Sequence, residues 1–167
     1  VADSPYYTIN ASGRVPYLVC EDGQGLEESI AICDYLDSLD GQPLLVRPAP
    51  LQALAVARLD ARAVSLLDGI SVWFRELVRP ADERSPTVIQ HETARADRLI
   101  TEWETRIAHP WMHGPLNHAQ LRLGCALAFA LKIRGFDWRP GRPALGEWFV
   151  RFASRPSFVA TEPPAHK

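Results

Sequence analysis

Val15-Pro16 and Glu28-Ser29 are the residues of this 167-residue chain whose types and spacing point to chemistry. A residue before proline is held extended, so the N–H and C=O of Val15 stay available to a peptide-like ligand laid alongside. Glu28-Ser29 falls where a strand pair gives way to a helix, and the open N–H groups of a helix start attract a carboxylate. Ser29 adds a hydroxyl to that anion site. A Val-Pro at a strand edge and a Ser beside a helix start each have a purely structural use as well. The two together, at this spacing and followed by a helical remainder, are far more specific.

The run Asn10-Ala11-Ser12-Gly13-Arg14-Val15-Pro16-Tyr17-Leu18-Val19, an acidic turn, and then Leu26-Glu27-Glu28-Ser29-Ile30-Ala31-Ile32 resemble the glutathione S-transferase superfamily. Its thioredoxin-like half carries G-[KR]-V-P, then strand, turn, strand, then E-S-x-A-I on a helix. The resemblance implies a cis Val15-Pro16 bond and a Val15 backbone that pairs with the cysteinyl unit of glutathione. It implies that Glu28 and Ser29 hold the γ-glutamyl end, with Arg14 and Pro16 in the same binding set. The implied fold is α+β, a partial thioredoxin-like N-terminal domain followed by an all-α C-terminal domain. The C-terminal run from Arg142-Pro143-Ala144-Leu145 through Thr161-Glu162-Pro163-Pro164 is similar to the tail of a bacterial cytosolic branch. The implied activity joins the thiol of glutathione, as co-substrate, to a small hydrophobic electrophile in a cytoplasmic homodimer. A non-catalytic module of the same fold, binding partners, is the alternative.

In the superfamily a strand and a helix precede these motifs, and a Ser, Tyr or Cys at that helix start activates the thiol. Only nine residues stand before Asn10, whereas a strand-helix-strand unit takes roughly thirty. The catalytic residue is therefore expected upstream of Val1 and is unknown. Ser4-Pro5-Tyr6 resembles such a helix start, yet Ser4 lies eleven positions before Val15, which leaves no room for a helix and a crossover strand. Residues 1–9 are expected to be the tail of the second strand and its loop, with Tyr6, Tyr7 and Ile9 packing inward. Without the first strand, Val15 to Cys20 would carry an unpaired edge.

The elements that must position these residues follow from periodicity. Arg14 to Cys20 reads as a strand, Asp22-Gly23-Gln24-Gly25 as a turn, and Glu28 to Leu39 as a helix with Ile32, Leu36 and Leu39 inward. Residues 1–42 then form the partial glutathione-binding domain. Pro43, Pro48 and Pro50 make residues 43–50 a stiff connector, and residues 51–167 form the helical substrate and dimerisation domain. Leu51 to Arg79 carries Leu59, Ala63, Leu66, Ile70, Trp73 and Leu77 on one stripe, and Pro80 stops it. Ser85 and Pro86 open a second long helix with Ile89, Ala96, Ile100, Trp103 and Ile107 inward. Asn117 is placed to cap a third, with Gln120 reaching back and Leu116 stapled onto Leu121. That third helix carries few charges from 121 to 131 and is expected to be the buried one. The superfamily has an S/T-x-x-D box at this place; Asn and Gln keep its hydrogen bonding and drop its charge.

The net charge of −2 argues against general nucleic-acid binding. It is unevenly spread, with −7 over residues 1–42 and +5 over residues 43–167. That division fits either a ligand cleft favouring an anion or two ordinary solvated faces. Cys20, Cys33 and Cys125 are an odd set without a C-x-x-C pair, expected to be buried free thiols in a reducing compartment. No apolar run is long enough to span a membrane. His109, His113 and His118 are interrupted by Pro110, Gly114 and Pro115, which breaks the helical spacing a metal pair needs, so no metal is expected. Trp73 and Arg75 either line the electrophile pocket or serve as a core aromatic and a surface cation.

Overall fold

Asp22 closes the first turn, its Oδ1 accepting the Gln24 N–H at 2.9 Å while Gly23 takes φ 78°. This joins β1 (Tyr17–Val19) to β2 (Gly25–Glu27) as an antiparallel pair, with Tyr17 opposite Glu27, Leu18 opposite Leu26 and Val19 opposite Gly25. In the computed structural model, residues 3–163 are described, and the chain divides into two units, Val1–Val46 and Arg47–Lys167. The division falls within residues 43–50.

In the first unit, α1 (Ser29–Ser38) follows β2 directly and buries Ile32. Asp37 holds the chain beyond it, accepting the N–H groups of Leu44 and Leu45 at 2.9 Å each. Several expectations are corrected here. β1 starts at Tyr17 and not at Arg14, because Pro16 has no N–H to give a ladder. Leu36 and Leu39 are 50% and 61% exposed and do not point into a core. Strands of three residues run about 10 Å and a ten-residue helix about 15 Å, so the last turn of α1 outruns the sheet. Pro5–Thr8 is a 3₁₀ turn and not a strand tail, since Ser4 Oγ accepts the Tyr6 N–H at 3.3 Å and Pro5 sits at the first turn position. Tyr7 and Ile9 lie exposed, and only Tyr6 of the three is half-buried. Residues 1 and 2 of that expected tail, and Pro164 of the C-terminal resemblance, lie outside the described residues.

The second unit contains α2 (Pro50–Leu77), α3 (Pro86–Arg106), α4 (His118–Ala130), α5 (Pro143–Ala153) and α6 (Pro156–Ala160). The stripes lie where periodicity puts them: Leu59, Ala63, Leu66, Ile70 and Trp73 of α2 and Ala96, Ile100 and Trp103 of α3, then Ile107 just beyond, share one core, with Leu77 and Ile89 at its margin. Ser85 Oγ accepts the Val88 N–H at 3.3 Å, which starts α3. Asn117 Oδ1 accepts the Gln120 N–H at 3.2 Å and starts α4. Gln120 departs from a reciprocal box: its Nε2 donates to the carbonyls of Trp111, Gly114 and Pro115 at 2.8, 3.2 and 3.2 Å. The buried amide thereby fastens the loop that precedes α4. Gly124 lets Phe152 of α5 lie against the α4 backbone, since a Cβ there would stand 2.0 Å from the ring.

The three cysteines are free of disulfides, but they are not buried: Cys20 is half-buried and Cys33 and Cys125 are exposed. Successive helix positions turn by about 100°, so Cys33 and Cys125 face away from the buried Ile32 and Ala126 beside them. No helix among the described residues is long and apolar enough to cross a membrane.

Candidate functional site

The first unit brings Arg14, Val15, Pro16, Glu28 and Ser29 to the open end of the β1–β2 hairpin. The ladder ends at the Tyr17–Glu27 pair, with Val15-Pro16 just before it on one strand and Glu28-Ser29 just after it on the other. Arg14 Nη1 closes the end at 3.4 Å from Glu28 Oε1, both side chains largely in solvent. The Val15-Pro16 bond is cis. Val15 is 79% exposed, and its N–H and C=O have no hydrogen-bond partner among the described residues. An extended chain laid beside it therefore meets one free donor and one free acceptor.

Glu28 stands at the N-cap of α1 with φ 67° and ψ 120°, a conformation rare for a residue with a side chain. Such a residue costs about 1–3 kcal/mol and persists where the surroundings impose it. Its C=O accepts the Ile32 N–H at 3.0 Å, while no side chain caps the helix and no acid lies in its first turn. The N–H groups of Ser29, Ile30 and Ala31 thus point their partial positive charge outward, with no carboxylate of the described residues capping them. The Ser29 hydroxyl is exposed beside them.

A second group of residues builds the loop that presents Val15. Asn10, 2% exposed, donates from Nδ2 to the Arg14 carbonyl at 2.9 Å and accepts at Oδ1 from the Ser12 N–H and hydroxyl at 3.0 and 2.9 Å. The Tyr6 hydroxyl donates to the same Arg14 carbonyl at 2.7 Å. Gly13 takes φ 67°, and any Cβ there would stand 2.4 Å from the Tyr7 ring. In the sequence Asn10 reads only as the start of a motif and Tyr6 as a packing residue. The available signal was Asn10-Ala11-Ser12-Gly13, an Asx-turn composition.

The residues singled out in the second unit lie differently. Trp73 is 5% exposed, its ring edge-on to Phe136 with centroids 4.9 Å apart. It lies in the core of the helical unit. Arg75 is exposed and donates from Nε to the Ser71 carbonyl at 3.2 Å. An apolar cleft of about 520 Å³ opens elsewhere in this unit, walled by Phe129, Phe149 and Phe158, with Lys132 and Glu162 paired at 3.4 Å on its rim. Aromatic residues from separate helices built it, and no sequence spacing announced it. His109 Nδ1 accepts the Trp111 N–H at 3.3 Å and His113 Nε2 bonds the Ile107 carbonyl at 2.7 Å. Among the described residues no cluster of three His, Cys, Asp or Glu fits a metal.

Residues 2–39 match the family described as Glutathione S-transferase, N-terminal domain. This match and the solved glutathione transferases that resemble the chain over nearly its whole length support the glutathione S-transferase superfamily. It is 29% identical over 166 residues to the uncharacterized GST-like protein YibF of Escherichia coli, a match covering 98% of this chain and 82% of the relative. It is similar to a crystal structure of a glutathione transferase family member from Pseudomonas fluorescens with bound glutathione, at TM-score 0.84 and 26% identity, covering 98% and 80% of the two chains. The crystal structure of Gtt2 from Saccharomyces cerevisiae matches at TM-score 0.80 and 26% identity, covering 95% and 80%.

Proposed function

We propose that the hairpin end of the first unit holds glutathione and that the protein acts as a glutathione-dependent transferase on a small hydrophobic electrophile. The observation that carries this reading is the pairing of an open Val15 backbone with an uncapped helix start at Glu28-Ser29, joined by the Arg14–Glu28 contact at 3.4 Å. Glutathione is a tripeptide with a free carboxylate and ammonium at one end. Its cysteinyl unit pairs with the Val15 N–H and C=O, and Pro16 fixes the edge on which it lies. Its γ-glutamyl carboxylate takes the N–H groups and hydroxyl of Ser29, while its ammonium faces Glu28. Arg14 supplies a cation beside the same end. The bound glutathione in the Pseudomonas fluorescens relative supports glutathione as the ligand.

Held in this way, glutathione keeps its sulfur away from the charged end. In the reaction the thiol gives its proton to solvent and the thiolate bonds to the electrophilic carbon while the carbon–halogen bond of an aryl halide breaks and halide leaves, so a thioether forms; lowering the thiol pKa is what makes the nucleophile available at neutral pH. A homodimer in the cytoplasm, working on small molecules without nucleic acid or membrane, completes the reading. Conjugation of glutathione to a chromogenic aryl halide tests it. Turnover that saturates in both substrates when the thiol-activating residue expected upstream of Val1 is present, and that falls in Ser29→Ala, is expected, and turnover indifferent to Ser29→Ala and Glu28→Ala contradicts the site.

A further inference from the structure

We propose that Tyr6 and Asn10 are positioning residues that aim the Val15 N–H at the bound ligand, an assignment that rests on the glutathione reading above. A carbonyl oxygen has two lone pairs, and the Arg14 oxygen uses both, on the Tyr6 hydroxyl at 2.7 Å and on Asn10 Nδ2 at 2.9 Å. The Arg14–Val15 peptide is planar, so fixing its C=O fixes its N–H, which points the opposite way. The clamped end faces the protein and the free end faces out from a residue 79% exposed. Asn10 is itself tied by the Ser12 N–H and hydroxyl, and the Ser12 oxygen takes the Arg14 N–H at 3.2 Å. The Arg14–Val15 plane is therefore held at its carbonyl by two donors, and the preceding Gly13–Arg14 peptide by the Ser12 hydroxyl, before any ligand arrives, which is how a backbone contact becomes preorganised.

The clamp is built from this chain's own N-terminal turn. Ser4 and Pro5 shape the 3₁₀ segment that carries Tyr6, and Gly13 with the Tyr7 ring sets the bend between Asn10 and Arg14. These residues touch no ligand in the proposed pose; they act through Arg14 and Val15.

Tyr6→Phe removes one hydroxyl, and Asn10→Asp keeps the acceptor for Ser12 while turning a carboxylate oxygen toward the Arg14 carbonyl. Calorimetric titration of the full chain with reduced glutathione, melting temperatures and ¹⁵N–¹H spectra test the assignment. Tyr6→Phe is expected to weaken binding about five- to tenfold, the size of one hydrogen bond, with little change in melting temperature. Asn10→Asp is expected to weaken it at neutral pH and to regain affinity, relative to the parent at the same pH, on acidification, because a protonated carboxyl donates again. Unchanged affinity in both variants, or losses that only track the melting temperature without acid recovery, overturns the assignment. Should the parent chain itself fail to bind glutathione, the ligand reading falls, and the Val15 amide signal decides the clamp. Its displacement in both variants with Tyr17 to Val19 unmoved sustains the clamp, and an unmoved Val15 overturns it.

Discussion

Arg14 and Glu28 meet across the open end of the hairpin, Nη1 to Oε1 at 3.4 Å, with both side chains more than three-quarters exposed. A pair so exposed contributes little to stability, and each charge is free to exchange its partner for a ligand group of the same sign. On the proposed reading Glu28 exchanges Arg14 for the ligand ammonium, and Arg14 exchanges Glu28 for a ligand carboxylate. Ser29→Ala is expected to weaken glutathione binding by about 1 kcal/mol or somewhat more, as for one hydrogen bond to a charged group, and Glu28→Ala to weaken it as well. Titration calorimetry on both variants checks this; equal affinity throughout would reduce these residues to helix starters.

The start of α5 depends on a residue of α3. Arg142 at its N-cap supplies no side-chain cap, and Glu104 instead accepts the N–H groups of Ala144 and Leu145 at 3.0 and 2.9 Å. Glu104→Ala is expected to cost about 1–2 kcal/mol of unfolding free energy, the range for losing a helix cap. Urea unfolding followed by circular dichroism measures it, and a loss below a few tenths of a kcal/mol would show that solvent caps α5 equally well.

Two glycines in the helical unit are expected to respond in opposite directions. An Ala at Gly124 would put its Cβ 2.0 Å from the Phe152 ring, which stacks on Trp148 with centroids 5.1 Å apart. That is overpacking, worth about 1–3 kcal/mol of destabilisation. At Gly146 in α5 a Cβ meets nothing within 4 Å, so Gly146→Ala is expected to stabilise by about 0.5–1 kcal/mol through helix propensity. Melting temperatures of the two variants read this directly, and a shift of the same sign in both would contradict the packing.

Asp137 is held below the usual carboxylate range by the Arg139 guanidinium, which bonds it at 2.7 and 2.9 Å, and by the Arg139 N–H. A carboxyl lowered in the folded state adds stability above its unfolded value and loses it as pH falls through its folded value. The expected outcome is an Asp137 titration that moves up toward the ordinary carboxylate range in Arg139→Ala, followed by side-chain NMR. An unmoved titration would show that the pair does not persist in solution.

Much of this arrangement is legible along the chain because local rules act on neighbours. Ser85 before Pro86 and Asn117 three residues before Gln120 announce helix starts through their own hydrogen bonds, and the stripe from Leu59 to Trp73 follows from helical periodicity. What escaped depends on residues that meet only on folding. Tyr6 finds the Arg14 carbonyl eight positions on, Gln120 finds carbonyls of the preceding loop, and Glu104 caps a helix forty positions away. Leu36 and Leu39 lie exposed for a related reason: helical spacing identifies an apolar face but not how far the sheet beneath it extends.

The central claim is that the Val15 edge and the Glu28-Ser29 helix start form one glutathione site. The most direct measurement is a titration of the ¹⁵N-labelled chain with reduced glutathione, followed by amide chemical shifts. Saturable shifts concentrated at Val15 and at Ser29, Ile30 and Ala31, moving together with one dissociation constant, are the expected result. Shifts that spare these amides, or that fit different constants at Val15 and at Ser29, would contradict it.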